Sequence, residues 1–194
     1  DNKRDHAFPP TSVPPTASAF SSPLVTTPAD IRAVGVAAIT VADDRWAHCN
    51  LKVISLLANI LARQQAVDAG CAEALLIRDG FLKQGAASNI FVVKDRVLLA
   101  PPKTSFMLPG ITYDIVLELA AGHGQPLEIR EIHENELRAA DEVWMTSSTK
   151  EVLAITMLDG KPVGSGANAG KPGPAGERMW QWYQDFKNTI MRKG

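Results

Sequence analysis

Cysteine is scarce in this chain: Cys49 and Cys71 are the two thiols among 194 residues. Two thiols do not make a disulfide framework, so a reducing cytosol is the expected compartment. Charge of one sign is lacking too, since 20 basic and 21 acidic residues leave a net charge of −1. That balance gives no electrostatic footprint for nucleic acid or for an anionic membrane. No apolar run is long enough to span a bilayer, and no signal-peptide pattern occurs. A Walker loop and a Gly-x-Gly-x-x-Gly stretch are both missing, which sets aside the common modes of nucleotide binding. His48 stands next to Cys49, but neighbours on an extended chain point to opposite faces. No second ligand pair follows at zinc spacing, so no metal is expected. There are no internal repeats. The first residue is not methionine, and Asp1-Asn2-Lys3-Arg4-Asp5-His6 reads like the interior of a protein. The chain is expected to be the C-terminal part of something longer.

What is present describes an ordinary globule, 45% apolar and 21% charged. Its length suffices for one domain with a real core, or slightly more. Pro9 to Pro28 is rich in Pro, Ser and Thr and reads as a linker. Val34 to Val41 reads as a buried strand. From Val53 to Ala69 apolar residues recur with a helical period, and Gly70 is a suitable stop. Asp79-Gly80 predicts one hairpin turn and Lys94-Asp95-Arg96 a second. A helix is expected over Gly110 to Ala121, a strand over Leu127 to Ile132, and a short polar helix over Glu134 to Ala140. A strand from Glu142 runs into a hydroxyl cluster, and a further hairpin turns at Asp159-Gly160. After a Gly-rich loop from Gly164 to Gly176, the last helix sets Met179, Trp182, Tyr183, Phe186 and Ile190 on one packing face. Hairpins with few helices between them predict an α+β fold, with mixed or antiparallel sheets and flanking helices.

Three segments and one lysine carry chemistry. Lys52 stands at the mouth of the apolar run Val53-Ile54-Ser55-Leu56-Leu57. Beside apolar surface a lysine commonly snorkels to water. Held in a partly dry site, it becomes a neutral amine able to attack a carbonyl. Leu108-Pro109-Gly110-Ile111-Thr112 opens a helix, and such a terminus favours an anion when it is not simply capped. Thr146-Ser147-Ser148-Thr149 places four hydroxyls at a strand end, suited to phosphate oxygens or to a self-bonded Ser/Thr turn. Gln84-Gly85-Ala86-Ala87-Ser88-Asn89 is a run of small residues that permits close contact with a flat group. One ligand unites an aldehyde, a phosphate and a flat ring, and that is pyridoxal phosphate.

These segments resemble the D-amino-acid aminotransferase group of the fold-type IV, or class IV, pyridoxal-phosphate enzymes. Asp44-Arg45-Trp46 with Cys49-Asn50-Leu51-Lys52 resembles the family's Schiff-base lysine segment. Leu108 to Thr112 and Thr146 to Glu151 resemble its phosphate cup. The resemblance implies that Lys52 holds the cofactor and shuttles the substrate proton, and that Leu108 packs on the ring. It implies that Gly110, Ile111 and Thr112 hold phosphate from one side and Ser147 and Ser148 from the other. Thr149 would face substrate. Arg4 and His6 match the motif that traps the substrate carboxylate across a homodimer interface, which favours small D-amino acids, with 2-oxo acids as acceptors. Residues 1–22 would be the remnant of an N-terminal lobe with its linker, and 23–194 the large cofactor-binding domain. The family's N-terminal lobe supplies a phosphate-binding arginine and a substrate-facing tyrosine; neither is in this chain, so a separate chain is one expected source. The family also has a glutamate where Gln84 stands. A neutral amide donates to an unprotonated ring nitrogen but cannot balance a pyridinium, so a weaker electron sink is expected. Aminodeoxychorismate lyase and branched-chain aminotransferase activity are alternatives within the fold. A non-catalytic remnant is the alternative outside it.

Overall fold

The computed structural model describes residues 6–191. The first element is a helix the proline-rich stretch does not announce, α1 (Ala29–Val34). Val34, expected in a strand, ends this helix instead. Gly35 causes the change: its φ of 76° turns the chain, and a Cβ there would lie 2.5 Å from Thr156 Cγ2. Strand β1 (Val36–Ala42) then runs half-buried, not fully buried as its composition suggests. Helix α2 (Leu57–Asp68) starts four residues later than the period predicts and ends, as expected, before Gly70 at φ 68°.

Two hairpins follow, β2 (Glu73–Arg78) with β3 (Phe81–Gly85), and β4 (Asn89–Lys94) with β5 (Val97–Ala100). Their turns, Asp79-Gly80 and Asp95-Arg96, have positive φ at both central residues. That geometry matches the twist of the flanking strands. Helix α3 (Ile111–Gly122) comes next. The single strand expected over Leu127 to Ile132 is two short strands, β6 (Leu127–Ile129) and β7 (Ile132–His133), because each pairs with a different partner. Helix α4 (Glu134–Arg138) leads to β8 (Glu142–Ser147), β9 (Glu151–Leu158) and β10 (Lys161–Pro162). A 3-10 turn (Gly166–Asn168) interrupts the Gly-rich loop, and α5 (Pro174–Phe186) begins two residues before that loop was expected to end.

The strands form one mixed sheet in the order β6-β5-β4-β8-β9-β1-β2-β3-β7, with β10 on β9. Strands β6 and β7 occupy opposite ends of that path yet are separated only by Arg130 and Glu131. A flat sheet cannot bring its ends so close, so the sheet curls. Period-two alternation then sorts side chains between two cores. Ile90, Val92, Val143 and Met145 point inside the curl with Leu75, Leu153, Ile155 and Ile132. Phe91, Val93 and Trp144 point outside it, under α3 and α5, against Tyr113, Val116 and Met179. Full burial of such a side chain is worth about 1.5–3 kcal/mol. Of the stripe predicted on the last helix, Met179 and Tyr183 are buried, whereas Ile190 lies in the π-helical turn Lys187–Met191 that continues α5 and is exposed.

Helix α2 departs most from its sequence reading. Its buried residues are Ala62 and Ala66, against Ala74, Leu76 and Ala86. Leu57, Ile60, Leu61 and Val67 are exposed. The helix packs close to β2 through alanines, and its large apolar stripe is left facing outward.

Candidate active site

A cavity of about 330 Å³ gathers four stretches of chain. Its volume falls in the range typical of small-molecule sites. The floor is set by two amides. Gln84 is buried, and its Oε1 accepts from the Leu108 N–H at 2.8 Å. Asn89 grips the same strand of backbone: Nδ2 donates to Leu108 O at 2.9 Å, and Oδ1 accepts from Gly110 N–H at 3.2 Å. A Cβ on Gly110 would lie 2.5 Å from that Oδ1, so only glycine lets Asn89 come so near. These bonds aim the start of α3 at the cavity.

No side chain caps α3. The N–H groups of its first turn therefore have no intrahelical partner, and they carry the positive end of the helix dipole. Thr112, in that turn, is 2% exposed and lines the cavity, yet its Oγ1 has no hydrogen-bond partner. A buried hydroxyl left unpaired is costly and calls for a missing acceptor. Ser147 and Ser148, at the end of β8, line the same cavity and bring further hydroxyls.

The Gln84 bond has a chemical consequence. An N–H can only donate, so Leu108 fixes which end of the Gln84 amide is the oxygen. The remaining end, Nε2, makes no bond among the described residues and leaves a free donor on a residue that lines the cavity. Asn59 is locked in the opposite sense, with Nδ2 donating to Ala86 O at 2.8 Å.

Lys52 lines the cavity but is exposed, so the described residues do not supply the dry setting that would activate it. The segment leading to it is firmly held. Asp43 and Arg45 are paired at 2.8 Å with side chains 0% and 3% exposed, and Arg78 reaches Asp43 at 3.2 Å. Arg45 also donates to Phe106 O, and Arg78 to Arg45 O. Burial alone would raise the Asp43 pKa, but the hydrogen bonds from Arg45 and Arg78 outweigh it and hold the carboxyl below the usual range. Cys49 donates to Trp46 O, and burial pushes its thiol pKa up. Among the described residues no group of three His, Cys, Asp or Glu gathers as metal ligands.

Lys52, Gln84, Leu108, Gly110, Ile111, Thr112, Ser147 and Ser148, all singled out from sequence, therefore share one cavity. Thr149 does not line it; exposed at the rim, its Oγ1 is 3.4 Å from Ser147 Oγ. His6 is exposed and outside the lining, and Arg4 lies outside the described residues. Sequence reasoning passed over Asn89, Asn59 and Arg45 as site residues. A polar residue closing the small-residue run, as Asn89 does, was the available signal for the first.

The cavity residues fit a phosphorylated, flat-ringed ligand. Uncapped N–H groups and the orphan Thr112 hydroxyl suit its phosphoryl oxygens, and the small side chains of Ala86 and Ala87 leave room for a ring. Known proteins agree. The profile of the family described as amino-transferase class IV matches residues 2–158. This chain belongs to the class IV aminotransferase family. It is 41% identical over 160 residues to a D-alanine aminotransferase of Bacillus licheniformis, a match covering 82% of this chain and 55% of that protein. A D-alanine aminotransferase of Staphylococcus aureus (strain MSSA476) is 33% identical over 95% of this chain and 64% of its own length. The structure of a T.th. branched-chain amino acid aminotransferase with pyridoxamine 5'-phosphate superposes with a TM-score of 0.73 at 30% identity, covering 83% of this chain and 53% of that one. A putative branched-chain amino acid aminotransferase from Thermotoga maritima gives 0.75 at 27% identity, over 87% and 60%. The chain thus spans 55–64% of the length of these two curated relatives.

Proposed function

We propose that this chain is the large, cofactor-binding domain of a pyridoxal-phosphate aminotransferase that moves the amino group of small D-amino acids to 2-oxo acids. The observation that carries the reading is the shared cavity, with a primary amine on one wall and an uncapped helix start with an unpaired buried hydroxyl on another. When bound, pyridoxal phosphate supplies an aldehyde that takes up the amino group and a ring that withdraws electrons from Cα. Thr112, Ser147 and the N–H groups of Ile111 and Thr112 hold the phosphoryl oxygens. Leu108 packs beside the ring, and Gln84 donates from Nε2 at its edge. Lys52 would hold the aldehyde of the bound cofactor, and its amine would carry the proton at the substrate Cα.

The D-amino-acid preference is supported by the D-alanine aminotransferases among its relatives and by Arg4 and His6, which we assign to the substrate carboxylate. Residues 1–22 are read as the end of a first lobe plus linker, and 23–194 as the domain itself. A homodimer, with that first lobe present as part of the same protein or as a separate chain, is supported by the exposed apolar stripe of α2 beside Lys52. Covering it would dry the amine. Its two cysteines are free, in keeping with the cytoplasm, and among the described residues no helix is long and apolar enough to cross a membrane.

Borohydride reduction of the purified protein followed by peptide mapping tests the cofactor: the label should sit on Lys52. A coupled assay with D-alanine and 2-oxoglutarate, run beside L-leucine and aminodeoxychorismate, tests the substrate. Turnover of either of the latter in preference to D-alanine would overturn the substrate assignment.

A further inference from the structure

Five residues other than glycine hold a positive φ among the described residues: Asp79, Asp95, Arg96, Glu151 and Asp159. Four of them sit in two-residue hairpin turns, between Arg78 and Phe81, Lys94 and Val97, and Leu158 and Lys161. Such turns ask for that conformation. Glu151 closes a longer connection, the three residues 148–150 that join β8 to β9 in a further hairpin, and it is the one residue of the five that opens a strand. At φ 58° it opens β9 directly after Ser148-Thr149-Lys150 and pairs with Ser147. Glycine suits such a backbone, whereas the Cβ of a glutamate resists it. A residue kept there is held by its surroundings, and such places concentrate at functional sites.

The surroundings of Glu151 come from both ends of the chain. Arg32, on α1, donates from Nη1 to the Val152 carbonyl at 2.6 Å and from Nη2 to the Lys150 carbonyl at 3.3 Å. One guanidinium therefore grips the backbone on both sides of Glu151. It lies 3.9 Å from the Glu151 carboxylate and 4.9 Å from the centre of the Trp180 ring on α5. Gln184 Nε2 donates to Glu151 Oε2 at 2.8 Å, and Lys187 Nζ donates to Oε1. Burial alone would raise the carboxyl pKa, but these hydrogen bonds outweigh it and lower it.

The same turn orients the hydroxyls. Lys150 N–H donates to Ser147 Oγ at 3.1 Å. That occupies an acceptor site on the hydroxyl and leaves its proton to turn either to Thr149 Oγ1, 3.4 Å away, or to an acceptor in the cavity. The Lys150 peptide is thus shared: its N–H sets Ser147, and its carbonyl is held by Arg32.

We propose that Glu151, locked in its strained conformation by Arg32 and the C-terminal helix, is a positioning residue that turns the Ser147 and Ser148 donors toward a phosphoryl group in the cavity. The proposal rests on the reading of that cavity as a phosphate site. Its test is Glu151→Gly in the full-length protein, with dissociation constants for pyridoxal phosphate and inorganic phosphate read by fluorescence titration. Glycine takes the backbone conformation freely, so the hairpin is kept while the tie to α5 is cut. Affinity should fall about tenfold for both ligands, the size of one lost polar contact, and the phosphorus NMR resonance of bound cofactor should shift. Glu151→Gln keeps an acceptor at the same reach and should bind within about threefold of the original. Should the glycine variant fail to fold, Arg32→Lys takes its place, since an ammonium lacks the planar fork that spans both carbonyls. Unchanged affinity and an unchanged phosphorus resonance in whichever variant folds would overturn the proposal. If the unaltered protein binds neither ligand, the phosphate reading of the cavity falls, and the proposal falls with it.

Discussion

Thr112, Gln84 and Asn89, on one side of the cavity, are 2%, 5% and 6% exposed, whereas Ile54, Leu57 and Ile60, beside Lys52, are 101%, 67% and 59% exposed. The first side is held in place by contacts within this chain. Its amides are bonded to backbone and its glycine admits Asn89 closely. Among the described residues, Thr112 Oγ1 and Gln84 Nε2 are left without a partner there. The second side carries the Lys52 amine on a segment that is anchored at its root, by Asp43, Arg45 and Arg78, and open at its tip. On the proposed reading, the difference teaches that phosphate recognition and amine activation have separate structural origins. The former draws on the start of α3 and the hydroxyls at the end of β8, which contacts within this chain hold in place. The latter needs dryness, and dryness requires a cover that the described residues do not supply.

Lys52→Ala cuts deepest into that division. Transamination by the full-length protein should fall about a thousandfold or more, within what loss of a nucleophile and proton carrier costs. Phosphate affinity should change little, because the amine plays no part in the phosphate side; equal loss of both would merge the two sides. Asp43→Asn strikes the root of the lysine segment. It strands the Arg45 guanidinium in a buried site, and urea unfolding should show a loss of about 3–5 kcal/mol. The Asp43 carboxyl is held below its unfolded pKa, so it stabilises fully above about pH 4. That contribution drains away as pH falls through the lowered native value. A pH–stability curve of the Asn variant should therefore be flatter than that of the unaltered protein in acid.

Thr112→Val sharpens the other side. Removing an unpaired buried hydroxyl should leave melting temperature unchanged or higher, while pyridoxal phosphate binding weakens by about 1–1.5 kcal/mol. A fall in both would mean the hydroxyl already has a structural task. Gln84→Glu should speed the amino-transfer half-reaction several-fold, since a carboxylate can balance a protonated ring nitrogen and the amide cannot. An unchanged or slower rate would remove Gln84 from the electronic account. Smallest of all is the stability effect of Ile60→Gln on the open stripe of α2, within about 0.5 kcal/mol for the unassociated chain. Sedimentation of the full-length protein should nevertheless show weaker association if that stripe is an interface.

Local turn chemistry is legible in the residues themselves. Asp79-Gly80 and Asp159-Gly160 turn where such pairs ought to, because a positive φ at both central residues is a property of the dipeptide. The start of α3 and the hydroxyl turn after β8 are legible for the same reason, since both are short-range objects. Long-range pairing is not. Nothing in Leu127 to Ile132 announces that its two halves belong to opposite ends of one sheet. Helix α2 misleads in a different way. Its period is real, but period fixes only that apolar residues share a face, and not whether that face turns inward. Asn89 and Asn59 escape notice because an amide becomes a site residue only through the backbone groups it meets.

By itself, then, the order of residues determined the hairpins, the helix stops and the identity of the groups offered to a ligand, all of which depend on neighbours a few positions away. The tertiary structure alone decided that Lys52, 32 residues before Gln84 and 95 before Ser147, faces the same 330 Å³ as both. It also decided which end of the Gln84 amide looks inward. Curling of the sheet made the first choice and one peptide N–H the second; both are contacts between parts of the chain that no local rule connects.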